Sequence, residues 1–80
     1  MTLKEVQQLI DGEVYLFKYE GRTIKRMFLS IQSNHYPKVN FTQHYALLGT
    51  YEPNRFDYLY RIEELELIGA YQTERDADCL

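Results

Sequence analysis

The residues that could carry out catalysis do not form a recognisable constellation in this sequence of 80 residues. No nucleophile, base and orienting residue share a motif, and the G-x-S-x-G, H-E-x-x-H and P-loop patterns are absent. We expect His35 in a loop and His44 in a strand, and the one cysteine, Cys79, is next to the last residue, so a metal site lacks ligands. We therefore expect a protein that is not an enzyme and that uses no metal or cofactor.

Basic side chains follow the first predicted turn, and tyrosines come from neighbouring predicted strands. Guanidinium groups bind phosphates through paired hydrogen bonds, and aromatic rings stack on bases. This pattern predicts a site for a nucleotide or single-stranded nucleic acid, and the alternative is a solvated hairpin with its tyrosines in the core. The predicted ligand-binding residues are Tyr19, Arg22, Arg26, Tyr45, Tyr58 and Arg61.

Acidic side chains are concentrated at the end of the sequence, although the formal net charge is only -3. Residues 13–61 hold seven basic and four acidic side chains, whereas residues 62–80 hold one and six. Such carboxylates usually form a solvated face, but they could also imitate a row of phosphates toward a basic nucleic-acid channel. The second hypothesis is therefore a protein-interaction or inhibitor protein, for example a phage-encoded blocker of a host enzyme or defence complex. Its predicted partner-binding residues are Glu63, Glu64, Glu66, Asp76 and Asp78.

Local signals predict a helix at the start of the sequence. Thr2 and Glu5 have the spacing of a capping box, in which each side chain satisfies a backbone N–H of the first helical turn. Apolar residues recur at helical spacing, and Gly12 tolerates the left-handed conformation common at helix ends. We expect the helix to cover about residues 2–11.

Alternating apolar residues predict strands over the rest of the sequence. Glu20-Gly21 is typical of a tight turn, and residues 33–38 are expected to form a loop because Pro37 removes a backbone donor. Residues 63–68 have features of both strand and helix, and a short fifth strand is preferred there. The predicted strands cover residues 14–19, 23–31, 39–48, 56–62 and 65–71.

The composition favours a mainly β fold in a single domain, because eight Tyr, four Phe and no Trp accompany 45% hydrophobic residues. We expect an α+β arrangement in which an N-terminal helix precedes a strongly bent antiparallel sheet of four or five strands, resembling an SH3-like or Sm-like small barrel. The domain should cover residues 1–73, with a flexible acidic tail over residues 74–80. With one cysteine and no apolar run that could span a bilayer, we expect a cytoplasmic protein without membrane contact. Open sheet edges also make a homo-oligomer one of the candidate assemblies.

An ordered series of motifs runs through residues 9–71. A helix end, a turn and an apolar strand occupy residues 9–19, and a basic strand follows over residues 21–26. Tyr45-Ala46-Leu47 occupies the place of a Trp-Tyr-Leu signature, of which the leucine matches outright, and Arg61-Ile62 ends a later strand. The series resembles a WYL domain, the small Sm-like β-barrel found mostly in bacterial transcription regulators and some phage-defence proteins. The resemblance implies a ligand-sensing barrel for nucleic acid or a nucleotide-like signal, with Tyr45, Arg61 and Arg26 near the ligand.

Overall fold

The computed structural model of the protein describes residues 1–51 and 53–71, and their fold is mainly β. All strand pairs in its single five-stranded sheet are antiparallel, and the strand order is β4-β3-β2-β1-β5. Within the described ranges, β4 and β5 are the outer strands and do not pair with each other, so the sheet is not closed. The elements are α1 (Leu3–Val6), β1 (Val14–Tyr19), β2 (Arg22–Tyr36), β3 (Phe41–Gly49), β4 (Asp57–Arg61), a 3₁₀ turn (Ile62–Glu64) and β5 (Leu65–Ala70).

The N-terminal helix α1 is shorter than the sequence predicts. The capping box is confirmed, because the Thr2 backbone N–H donates to Glu5 Oε1 at 2.8 Å and the Glu5 N–H donates to Thr2 Oγ1 at 3.2 Å. The predicted extension to about residue 11 is wrong. After Val6, the backbone N–H groups of Gln8 and Leu9 donate to the carbonyl groups three residues earlier, at 3.2 and 3.1 Å. This tighter 3₁₀ pattern ends the α-helix. Gly12 has the expected positive φ of 88°.

The β1–β2 hairpin forms as predicted. Glu20 and Gly21 have φ values of 49° and 77°, so both central residues of the turn have the positive φ of a type I′ turn. This turn follows the right-handed twist of the two strands, which pair from Tyr19 opposite Arg22 to Val14 opposite Met27.

The β2–β3 hairpin is longer than predicted, because residues 33–36 continue β2 instead of forming a loop. Pro37 lies just after the last cross-strand pair, Tyr36 with Phe41, so its missing N–H breaks no bond of the ladder. Cross-strand hydrogen bonds between polar side chains replace the local backbone bonds expected there. The strands predicted over residues 23–31 and 39–48 are therefore Arg22–Tyr36 and Phe41–Gly49.

The last two strands agree with prediction to within one residue at each end. The strand predicted over residues 56–62 is Asp57–Arg61, and the one predicted over residues 65–71 is Leu65–Ala70. The choice of a strand over a helix for the ambiguous segment is confirmed for β5, while Glu63 and Glu64 lie in the 3₁₀ turn before it.

One face of the sheet carries the hydrophobic core, and we call it the core face. The ring of Tyr19 in β1 packs edge-on against that of Tyr60 in β4, with centroids 4.9 Å apart. Two strands separate β1 from β4 in the sheet, so this contact requires a strong bend, which β-bulges near Phe28 and Phe17 assist. The core consists of Val6, Tyr15, Phe17, Phe28, Ala46, Leu48, Ile62 and Leu65.

Among the described residues, the helix and the sheet share one hydrophobic core. The predicted acidic tail over residues 74–80 lies outside the described residues. None of the described helices is long and apolar enough to cross a bilayer.

Replacement of Phe17 by alanine should strongly destabilise the fold, because Phe17 is fully buried at the centre of the core. We expect Phe17→Ala to lower the free energy of unfolding by about 3–5 kcal/mol, measured by urea denaturation. Phe56 is 55% exposed, so Phe56→Ala should change it by no more than about 0.5 kcal/mol. If Phe17→Ala has no folded baseline, Phe17→Leu should still show a smaller loss. Equal effects of the two alanine variants would contradict this description of the core.

Candidate functional site

An open cleft of about 460 Å³ lies between α1, the β1–β2 turn and the start of β5. Its charged lining is mostly acidic, with Lys18 as the one basic side chain. We call it the acidic cleft and define it by five carboxylates. They are Glu5, Glu20, Glu63, Glu64 and Glu66.

The pairing of β5 with β1 brings these carboxylates together. Glu66 lies opposite Lys18, and Leu65 lies opposite Tyr19, so the residues just before β5 lie beside the β1–β2 turn that carries Glu20. The Met1 amino group donates to the Ile62 carbonyl at 2.8 Å and to the Leu65 carbonyl at 2.5 Å. These bonds hold the start of α1 against the same segment.

Hydrogen bonds, an ion pair and burial shift the pKa values of several groups around the cleft. Hydrogen bonds from the backbone and side chain of Thr2 lower the pKa of Glu5. Arg61 Nη2 donates to Glu64 Oε2 at 2.5 Å, and this bond raises the pKa of the guanidinium. Burial raises the pKa of Tyr19, and the negative charges of Glu20 and Glu64 raise it further. The Tyr19 hydroxyl therefore lies in a negative environment.

The six residues predicted to bind a nucleotide lie on both faces of the sheet. Residues directly opposite in an antiparallel pair share a face. Arg26 lies opposite the core residue Tyr15. Arg22 lies opposite Tyr19, whose ring contacts Tyr60 on the core face. Tyr58 lies opposite the core residue Leu48. Tyr45 and Arg61 lie opposite each other on the other, outer face. Four of the predicted residues thus share the core face, and two share the outer face.

Several of these six side chains already make contacts within the protein. The Tyr19 ring packs on Tyr60, and Arg26 Nη1 donates to the Lys25 carbonyl at 2.9 Å. A hydrogen bond with Tyr36 raises the pKa of Tyr45, and burial adds to the effect. Arg22 is exposed beside the β1–β2 turn.

The residues predicted to bind a protein partner lie more closely at one site than those predicted to bind a nucleotide. Glu63, Glu64 and Glu66 all line the acidic cleft, while Asp76 and Asp78 lie outside the described residues. Sequence reasoning missed Glu5 and Glu20 as members of this site. Their local signals, a capping box and a turn, indicate secondary structure. The β1–β5 pairing brings Glu20 near the acidic segment, and the bonds of Met1 to Ile62 and Leu65 bring Glu5 there.

A second, smaller recess of about 210 Å³ lies near the start of β2. Lys25, Arg26, Thr50 and Tyr51 line it. The Lys25 ammonium lies 5.2 Å from the Tyr51 ring centroid and 4.5 Å from that of Tyr71, within the range of cation–π attraction. Sequence spacing alone did not predict this arrangement, because its aromatic rings follow β3 and β5 rather than lying in neighbouring strands.

Comparisons with protein-family models, with curated proteins and with solved structures found no match to this chain. The described residues contain no group of three or more His, Cys, Asp or Glu side chains that could together hold a metal ion.

The negative environment of Tyr19 is testable by NMR titration of the tyrosine ring carbons. We expect the Tyr19 midpoint to lie above the ordinary value of 10.0, and Glu64→Gln to lower it without abolishing the shift, since burial is the larger cause. The raised pKa means that the stabilising contribution of Tyr19 is complete below pH 10.0 and is lost as the pH rises through the folded-state value. In Tyr19→Phe, the free energy of unfolding should therefore fall less at alkaline pH than in the parent protein. A Tyr19 midpoint at or below 10.0 would contradict the placement of its hydroxyl near these carboxylates.

Proposed function

We propose that this protein is a non-catalytic binding module whose acidic cleft binds a basic segment of a protein partner. The observation that carries the proposal is the convergence of five carboxylates from separate parts of the chain on one open cleft of about 460 Å³. Clefts of about 300–1,000 Å³ are typical of binding sites.

Charge supports a protein partner over a phosphate ligand at this cleft. Carboxylates repel phosphates and attract lysine and arginine, and such complementarity mainly increases the association rate and the selectivity of binding. Lys18 and the Met1 ammonium group offset only part of the negative charge, and Glu64 is shared with Arg61. A partner with a basic nucleic-acid channel would meet a row of carboxylates in the place of phosphates. A small blocker of a host enzyme or defence complex would act in this way.

In this proposal the bent sheet is an SH3-like or Sm-like small barrel that is incompletely closed and related to the WYL domain. Support comes from the order of elements, in which a helix precedes the first four strands and β5 returns to pair with β1. The contact of Tyr19 with Tyr60 supports the required curvature. Tyr45 and Arg61, which the WYL resemblance places near a ligand, are direct cross-strand partners. A cytoplasmic location is part of the proposal because the chain has a single cysteine.

The proposal predicts salt-sensitive binding of a fluorescent lysine-rich peptide, measured by anisotropy. Affinity should fall between low salt and about 0.15 M, where the Debye length is about 8 Å. The double variant Glu63→Gln, Glu66→Gln should bind about three- to tenfold more weakly, as expected for two exposed charge pairs worth up to about 1 kcal/mol each. The same variant should recover less of the native partner when used as bait in the host lysate.

The matched control is the double variant Asp11→Ser, Glu13→Gln, which removes the same formal charge from exposed positions outside the cleft. It should bind the peptide nearly as well as the parent protein. Equal losses in the two double variants, or binding that does not depend on salt, would refute a role for the acidic cleft.

The second candidate function is binding of a nucleotide or single-stranded nucleic acid. The observation in its favour is that Arg22, Arg26 and Tyr58 share the core face with Tyr19. A ligand at about 100 times its dissociation constant should stabilise the protein by about 2.7 kcal/mol in a thermal-shift screen of oligonucleotides and cyclic nucleotides. Arg26→Ala should abolish the shift, and Lys38→Ala, in the turn of the β2–β3 hairpin, should preserve it. Absence of a shift with every ligand would eliminate this candidate.

A further inference from the structure

The β2–β3 hairpin brings the two histidines of the chain onto one face. Ser33 lies opposite His44, and His35 lies opposite Thr42, so the two histidines occupy diagonal positions in neighbouring pairs on the same face of the ladder. The sequence predicts His35 in a loop and the one thiol near the end of the chain, and a metal site was expected to lack ligands on both grounds. The position of His35 in β2 removes the first of these grounds.

Both imidazoles are oriented by hydroxyl groups of the opposite strand. His44 Nδ1 lies 2.7 Å from Ser33 Oγ, and His35 Nδ1 lies 3.0 Å from Thr42 Oγ1. A hydroxyl oxygen can accept a hydrogen bond from Nδ1–H, and in that tautomer the lone pair of the imidazole is on Nε2. Histidines that bind metals through one ring nitrogen commonly donate the other N–H to such a partner.

The spacing of the two histidines suits one shared ion. Diagonal cross-strand neighbours have Cα atoms about 7–8 Å apart and Cβ atoms somewhat closer. Each ring leans toward the opposite strand, as its Nδ1 contact requires, so both rings project over the space between β2 and β3. His35 is exposed and His44 half-buried, which leaves room for water in the remaining coordination positions.

We propose that His35 and His44 bind one divalent transition-metal ion of the zinc, nickel and copper class through their Nε2 atoms. Neutral imidazole is a preferred ligand of these ions, whereas magnesium and calcium prefer oxygen ligands. Ser33 and Thr42 are positioning residues, because their hydroxyl groups hold the rings and can accept from Nδ1–H when Nε2 binds the ion. This inference does not rest on the proposed function, since the acidic cleft contributes none of the four residues.

Calorimetric titration with zinc tests the proposal in full-length protein that has no polyhistidine tag. The titration uses a Cys79→Ser background so that the only thiol cannot bind the ion. We expect one ion per chain, and a loss of affinity of at least about tenfold in His35→Gln and in His44→Gln. Ser33→Ala and Thr42→Ala should each weaken binding by up to about tenfold, at the lower end of the effect of such supporting residues. The thermal midpoints without zinc identify any variant that fails to fold.

Nitrogen-15 NMR of the two imidazoles is the second measurement, because it identifies which nitrogen of each ring binds the ion. Zinc should shift Nε2 of both rings while both Nδ1 atoms keep their protons. Binding unchanged by either glutamine substitution, or coordination through Nδ1, would overturn the proposal. No binding at millimolar zinc, or one ion shared by two chains, would also overturn it.

Discussion

Strand β1 is the element on which the rest of the structure depends, because β2 pairs with one of its edges and β5 with the other. It also contributes Tyr15 and Phe17 to the core. Loss of these pairings would expose two rows of backbone hydrogen-bonding groups and the largest fully buried side chain. The return of β5 is the longest-range strand pairing of the described residues, since it joins positions such as Tyr19 and Leu65 that are far apart in sequence.

The same pairing creates the acidic cleft. Glu63, Glu64 and Glu66 reach the β1–β2 turn only because β5 runs antiparallel to β1, and α1 completes the cleft with Glu5. The negative charge concentrated at the start of β5 opposes folding through like-charge repulsion. The Arg61–Glu64 pair and the bonds from Thr2 to Glu5 offset part of that cost.

Local signals predicted most of the secondary structure, whereas the candidate site depends on contacts that they do not encode. The capping box at Thr2 and the turn at Glu20-Gly21 involve only neighbouring residues, so their patterns were sufficient. The extent of β2 was not predictable in this way, because cross-strand bonds such as Ser33 to His44 outweigh the loop preference of the segment. The acidic residues near the end were predicted as a partner surface, but the contribution of Glu20 follows from the β1–β5 register and that of Glu5 from the bonds of Met1 to the segment before β5.

The basic pattern of the core face is visible in the sequence, whereas the acidic cleft exists only after folding. The two surfaces predict different partners, because the first suits phosphates and the second suits lysine and arginine. The most direct test is an amide chemical-shift map of the isotope-labelled protein titrated with a lysine-rich peptide. The account predicts that the largest changes cluster at Glu20, Glu63 and Glu66. Changes centred instead on Arg26 and Tyr58, or absent from the cleft, would contradict it.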